Sequence, residues 1–122
     1  TNIELYELAR RVKCGVKLLD RKVVNWRHTL RKHVNEFDIT HTDYCVLGTL
    51  EHHSAQLRKF NRQRVQGMLP GYSRGVMRLG IKGKGRDYGF DYYTANTNNL
   101  NDNPYHDQMR QLNALWKAEF LA

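Results

Sequence analysis

The sequence predicts an α+β domain, mostly helical, of about four helices and one basic two-stranded hairpin. Three observations carry that expectation. Apolar residues recur at intervals of three and four over several stretches, the spacing of one helical face. Seven of the nine glycines fall between Gly67 and Gly89, where the chain changes character. Within that stretch apolar and polar residues alternate, the period of a strand. The length of 122 residues suits a single domain, 1–122, with residues 67–93 as a glycine-rich basic hairpin or arm within it.

Thr1-x-x-Glu4 matches a capping box, in which the hydroxyl takes an amide of the first turn and the glutamate reaches back. Leu5, Leu8, Val12, Val16 and Leu19 follow as one stripe, predicting a helix over 3–19, with Arg21 and Lys22 where cations suit the macrodipole. Val23, Trp26, Leu30 and Val34 repeat the period and predict a second helix over 23–34. Phe37-Asp38-Ile39-Thr40 reads as a short extended piece. Thr42 or Asp43 would cap a third helix over about 43–66, striped by Val46, Leu50, His53, Leu57 and Phe60. Then Met77, Leu79 and Ile81 alternate with Arg78, Gly80 and Lys82, and Tyr88, Phe90 and Tyr92 with Gly89, Asp91 and Tyr93. Gly83-Lys84-Gly85-Arg86-Asp87 between them has the length of a hairpin loop, which would make its tip basic. Residues 94–102 read as a polar loop. Asn103-Pro104 supplies a cap and a proline for the first turn of a closing helix striped by Tyr105, Met109, Leu112, Trp116 and Phe120.

Composition narrows the function classes. Apolar residues make up 40% of the chain, too many for a wholly disordered protein. No apolar run approaches the roughly 18 residues of a membrane-spanning helix, so no membrane partner is expected. Thr1-Asn2-Ile3-Glu4 offers no basic region ahead of an apolar stretch, and no secretory signal is expected. Cys14 and Cys45 cannot form a disulfide framework, nor a zinc site on their own. The charge is uneven. Residues 1–51 hold nine basic and seven acidic residues, residues 52–86 nine basic and none acidic, and residues 87–122 two basic and five acidic. A 35-residue stretch with no carboxylate repels itself unless an anion lies against it, and nucleic acid is the commonest such anion. Arginine outnumbers lysine there six to three, and arginine forks onto phosphate. The plainer reading is a solvated face.

The order of a helix near 43–66 and a basic hairpin is winged-helix-like, with the helix in a major groove and the hairpin on the backbone. On that geometry Gln56, Lys59 and Gln63 would face bases, while Arg58, Arg62, Lys82, Lys84 and Arg86 would hold phosphates. Arg64, Arg74 and Arg78 extend the same cationic surface. Tyr72, and with it Tyr88, would stack on unpaired bases if the ligand is RNA or a single strand. His52-His53, with His41 and Cys45 nearby, invites a metal or nuclease reading, but the pair falls mid-helix and lacks paired ligand spacing, so no metal is assigned. Gly75-x-x-x-x-Gly80-Ile81-Lys82 lacks the hydroxyl of a phosphate-binding loop, and no nucleophile sits at a telling distance from a base. No cofactor and no enzymatic activity are expected.

One resemblance reaches particular residues. Arg11-Val12-x-x-Gly15-Val16-x-Leu18-Leu19-Asp20, Trp26, Phe37-Asp38-Ile39, Cys45-Val46-Leu47-Gly48, Tyr88-Gly89-Phe90-Asp91 and a final helix with Leu112 and Trp116 together resemble a family of small actinobacteriophage proteins of unassigned function. The resemblance implies a phage protein acting in a bacterial host's cytoplasm, and brings no catalytic residues with it. The sequence departs from the family pattern between Gly48 and Tyr88, where it is longer and far more basic. Physically, the shared residues read as scaffold: Leu18, Leu19, Val46, Leu47, Leu112 and Trp116 as core, Gly15 and Gly48 as close approaches. The leading expectation is therefore a phage-encoded, non-enzymatic nucleic-acid-binding protein, on DNA or structured host RNA, using residues 52–86. The alternatives are a factor that docks on a host protein complex through anchors such as Tyr72 or Arg74, and a virion component with a basic arm.

Overall fold

A computed structural model describes residues 5–65, 69–91 and 103–122, the first three residues of the last segment as backbone only. The described residues contain five α-helices: α1 Leu5–Lys22, α2 Trp26–Lys32, α3 Val46–His53, α4 Gly71–Leu79 and α5 Asn103–Leu121. Three short 3-10 turns, at Val34–Glu36, Leu57–Lys59 and Gly85–Tyr88, join them, and no strand occurs among the described residues.

The stripe on α1 does what its spacing requires: Leu8, Val12, Val16 and Leu19 are buried, and Leu5 alone stays exposed. Opposite it, Met109, Leu112, Trp116 and Phe120 bury one face of α5. The side chain of Tyr105, proposed to open that face, lies outside the described residues, as does the Thr1/Glu4 capping box. Trp116 is the hub of the core. Its ring meets Trp26 edge-on at 5.9 Å and stacks on Phe90 at 5.5 Å, and its indole N–H donates to the Gly89 carbonyl at 2.7 Å. Buried indoles need such a partner, because an unmade hydrogen bond in the interior is costly. Trp26 donates likewise to Asp20 at 2.8 Å. Residues 85–89 come so close to α1 that a Cβ on Gly15 would run into the Tyr88 carbonyl and sit 3.0 Å from the Trp116 ring.

Among the described residues of 67–93 no strand occurs, so the expected hairpin is not formed by them, and neither is the winged-helix arrangement built on it. Where the alternation predicted strands, residues 77–79 end a helix, Tyr88 ends a 3-10 turn, and residues 80–84 and 89–91 run as turns and bends. Tyr72, Val76 and Leu79 turn one face of α4 inward, with Gly71 and Gly75 buried at the same interval. The alternating reading of Met77, Leu79 and Ile81 rests on three apolar residues, and the structure makes only Leu79 a member of the fully buried core. Gly80 then ends the helix in the left-handed region at φ 63°. Its N–H reaches the Met77 carbonyl and that of Ile81 the Val76 carbonyl, the pair of bonds that closes a helix on a glycine. Gly85–Tyr88, its first three residues expected as hairpin loop, is a 3-10 turn laid on α1. Tyr92, Tyr93 and the polar loop 94–102 lie outside the described residues.

The third helix is also shorter than its stripe. It stops at His53 because Ser54 adopts extended backbone and its hydroxyl accepts the Leu57 N–H at 3.1 Å, capping the next turn instead of continuing the helix. Its N-cap is Cys45, whose sulfur accepts the Gly48 N–H, and not Thr42 or Asp43. Those two residues serve α4: the Asp43 carboxylate accepts the Gly71 N–H at 3.1 Å and the Thr42 carbonyl the Tyr72 N–H at 2.8 Å. A carboxylate at that end also suits the helix dipole.

Candidate nucleic-acid interface

With α3 ended at His53, residues 54–65 run as turns across the outside of α4. Their position is set by one buried carboxylate. Glu51 on the last turn of α3 is 5% exposed, and both of its oxygens are taken by guanidinium groups of α4. Arg74 Nε donates to Oε1 at 2.9 Å and Arg78 Nε donates to Oε2. Arg74 and Arg78 lie one helical turn apart, so a single face of α4 presents both to the same acid. Arg78 then reaches beyond Glu51: its Nη1 donates to the carbonyls of Arg58 at 2.8 Å and Phe60 at 3.0 Å. The turns return the contact. Asn61, at φ 51°, donates its side-chain amide to the carbonyls of Met77 at 2.9 Å and Arg78 at 3.1 Å. The basic turns are therefore clasped to α4 from both sides through backbone carbonyls, and the charged tips of their own side chains are left outward.

Those tips surround an open depression of about 460 Å³ lined by Ala55, Arg58, Lys59, Arg62 and Arg78. Arg58, Lys59, Arg62 and Arg64 are all exposed, and none makes an ion pair among the described residues. Arg58 donates once, to the His52 carbonyl at 3.4 Å. Four cations on consecutive turns with no neutralising acid leave a positive surface whose field is strongest in the concavity.

No protein-family model, curated protein or solved structure matches the chain. The site is therefore read from its own geometry.

The residues singled out by sequence separate into groups. Arg58, Lys59, Arg62 and Arg64 come together on the turns, and Gln63 is exposed among them. Arg74 and Arg78 are held by Glu51, with Arg78 alone reaching the depression. Gln56 points away: its side-chain oxygen accepts the Val24 N–H and ties the turn to the segment before α2. Gln56, Lys59 and Gln63 are thus not the outer face of a recognition helix, since the helix ends before all three. Lys82 and Lys84 are exposed on the loop after α4, and Arg86, half-buried, engages a partner of its own. Tyr72 is half-buried and packs against the core. Its hydroxyl lies over Gly85, and burial, with Asp91 and Cys45 nearby, pushes it above the ordinary phenol range. Tyr88 packs against the core beside Phe90, ring centroids 6.1 Å apart.

Sequence reading missed Glu51 and Asn61, the two residues that shape the site. Glu51 stands one position before the acid-free stretch, and in a periodic reading it is one more polar helix residue. Its only signal is spacing: it faces arginines 23 and 27 residues away, with no local pattern to connect them.

The histidines form a separate cluster beside the turns. His33 and His53 stack with centroids 3.7 Å apart, and His52 Nε2 lies 3.1 Å from Asp43. That bond and the Gly71 N–H hold the Asp43 carboxyl below its usual range. Among the described residues no group of three or more His, Cys, Asp and Glu is arranged to hold a metal ion. Cys45 is buried in its capping role, and burial pushes its thiol up to about 11. No helix among the described residues is long and apolar enough to cross a membrane.

Proposed function

We propose that the protein binds nucleic acid without catalysing a reaction, through the basic turns of residues 54–65. The observation that supports this most is the group of exposed cations without ion pairs among the described residues, Arg58, Lys59 and Arg62 around the depression and Arg64 on the same turns, on backbone that is clasped to α4. Phosphate contacts of this kind position a nucleic acid and carry little sequence information, so binding governed by shape and charge is expected. A clasped backbone reduces the conformational entropy lost when the ligand docks. Lys82 and Lys84, on the loop beyond α4, would add phosphate contacts at the margin. A bacterial host's cytoplasm, implied by the phage-family resemblance, is the setting of this proposal.

Fluorescence anisotropy against duplex DNA, single-stranded DNA and structured RNA tests it, at low and physiological salt. Four phosphate contacts predict a fall in affinity of roughly fiftyfold to a hundredfold or more between 50 and 200 mM salt. The variant R58Q/K59Q/R62Q/R64Q loses most of the binding and most of the salt slope, while its circular dichroism stays that of the parent. Absence of binding to all three ligands at physiological salt, or an unchanged affinity in the variant, overturns the reading.

A further inference from the structure

Arg78 differs from the cations around it. Its side chain is 10% exposed, yet it lines the depression whose rim carries Arg58, Lys59 and Arg62. Three of its contacts are fixed: Nε to Glu51, and Nη1 to the carbonyls of Arg58 and Phe60. Its other terminal nitrogen, Nη2, makes no hydrogen bond among the described residues. It is not sealed off either, since Nη2 is not among the fully buried polar atoms that lack a partner. A guanidinium held at Nε and Nη1, with Nη2 left unpaired among the described residues, is a positioned donor with little side-chain freedom left to lose on binding.

From this we infer that the depression is a single phosphate-binding site with Arg78 as its floor, rimmed by the exposed side chains of Arg58, Lys59 and Arg62. Phosphate is the chemical class that fits. It offers one oxygen to Nη2 of Arg78 and its others to the cations at the rim. A carboxylate brings two oxygens in one plane, too few to meet Nη2 and the three rim cations together. Glu51 acts as a positioning residue: it orients Arg78 and cancels one of the two buried charges of α4, so the floor donates hydrogen bonds while the rim supplies most of the net charge. This inference rests on the nucleic-acid reading above for the phosphate's natural source, a backbone phosphodiester. A free phosphomonoester shares the chemistry, and the experiment separates the two.

The Nε–H of Arg78, bonded to buried Glu51, exchanges slowly with solvent and gives a resolvable side-chain signal in a 1H–15N spectrum. The protein is titrated with inorganic phosphate, with chloride at matched ionic strength, with a nucleoside monophosphate and with a short oligonucleotide. The site predicts saturable shifts of the Arg78 Nε–H and of the amides of residues 55–62 with all three phosphates and none with chloride. R62Q, on the exposed rim, weakens oligonucleotide binding and lowers its salt slope by about one. R78K keeps the charge beside Glu51 but loses the positioned Nη2 donor, and it abolishes the saturable phosphate response. Oligonucleotide binding that leaves the Arg78 signal unmoved overturns this site and leaves the nucleic-acid reading standing. Phosphate and monophosphate binding here without oligonucleotide binding supports the site and overturns the nucleic-acid reading. No response to any phosphate overturns the site outright. Should R78K fail to fold, as its melting curve would show, R62Q and the Arg78 signal of the parent decide the matter alone.

Discussion

Replacing Glu51 by glutamine should cost this protein more stability than any exposed charge change, and the structure sets the size. The carboxylate side chain is 6% exposed, and its two partners, Arg74 and Arg78, are 19% and 10% exposed. Removing one member of a buried ion cluster leaves the remaining charges in a medium that solvates them poorly, which typically costs about 3–5 kcal/mol. The lower end applies here. Arg74 retains the Leu69 carbonyl and can turn toward water, and Arg78 retains the carbonyls of Arg58 and Phe60. A loss near 3 kcal/mol lowers the melting midpoint of a domain this size by roughly 10 °C. Urea denaturation followed by circular dichroism at 222 nm measures it directly. A double-mutant cycle of E51Q with R78M then isolates the pair, for which a coupling of about 1–3 kcal/mol is expected. If E51Q unfolds within about 0.5 kcal/mol of the parent, the carboxylate is in effect solvated and the reasoning fails. Arg74 and Arg78 would then belong with the free cations of the surface.

Gly15→Ala should destabilise by about 1–3 kcal/mol through overpacking, because the new methyl meets the Tyr88 carbonyl and the Trp116 ring. The near-ultraviolet signal of Trp116 should change with it, and a gain in stability, as alanine gives in an open helix, would refute the contact. His53 is held below its usual value of 6.5, first by burial and then by the neighbouring His33 and His52. The unfolded chain therefore takes up that proton before the native protein does, so stability is lost as pH falls through 6.5 toward the lower native value. Melting midpoints at pH 7.5, 6.5 and 5.5 should decline, the decline should shrink in H53Q, and an identical profile in H53Q would refute the assignment. Asp20, Asp38 and Asp43 are held below their usual 3.8, by hydrogen bonds first from Trp26, Thr40 and His52 respectively. Their contribution is present above that value and is lost only as pH falls below it, in a separate window. Cys45 should resist a thiol reagent such as Ellman's until denaturant is added, since burial keeps its thiol protonated and inaccessible. Rapid labelling of Cys45 in the native protein, read by mass spectrometry of a C14S variant, would contradict the buried cap.

The helices that close the core were legible because their pattern runs long. Leu8, Val12, Val16 and Leu19 give four matches to one period, and Met109, Leu112, Trp116 and Phe120 give four more. The middle of the chain fails for the opposite reason. Over residues 71–79 the inward face carries Gly71 and Gly75, so half of the helical stripe is invisible to a reading that looks for apolar side chains. What remained, Met77, Leu79 and Ile81, is too short to distinguish a strand from the end of a helix. Gly80 fits the alternation, but a glycine directly after Leu79 is also a stop signal. Ser54 carried a similar signal. A serine three residues before Leu57 can cap a turn or sit within a helix, and only the burial of Leu57 and the clasp on α4 decide for the turn.

The candidate site was legible as charge and illegible as geometry. Composition locates the cations between residues 52 and 86 but treats nine of them alike, and the fold does not. A guanidinium at a helix position four residues from another looks the same in sequence whether it faces a phosphate or a buried acid. What separates Arg62 from Arg74 is a carboxylate more than twenty residues upstream, brought close because α3 and α4 pack side by side. An acid-free stretch thus overstates the charge available to a ligand, since the acid that neutralises part of it stands just outside the window. The same correction sharpens the reading. Cations spent on Glu51 are lost to bulk attraction, but one of them, Arg78, is fixed in place by that loss, and a fixed donor discriminates among anions in a way that mobile surface lysines do not.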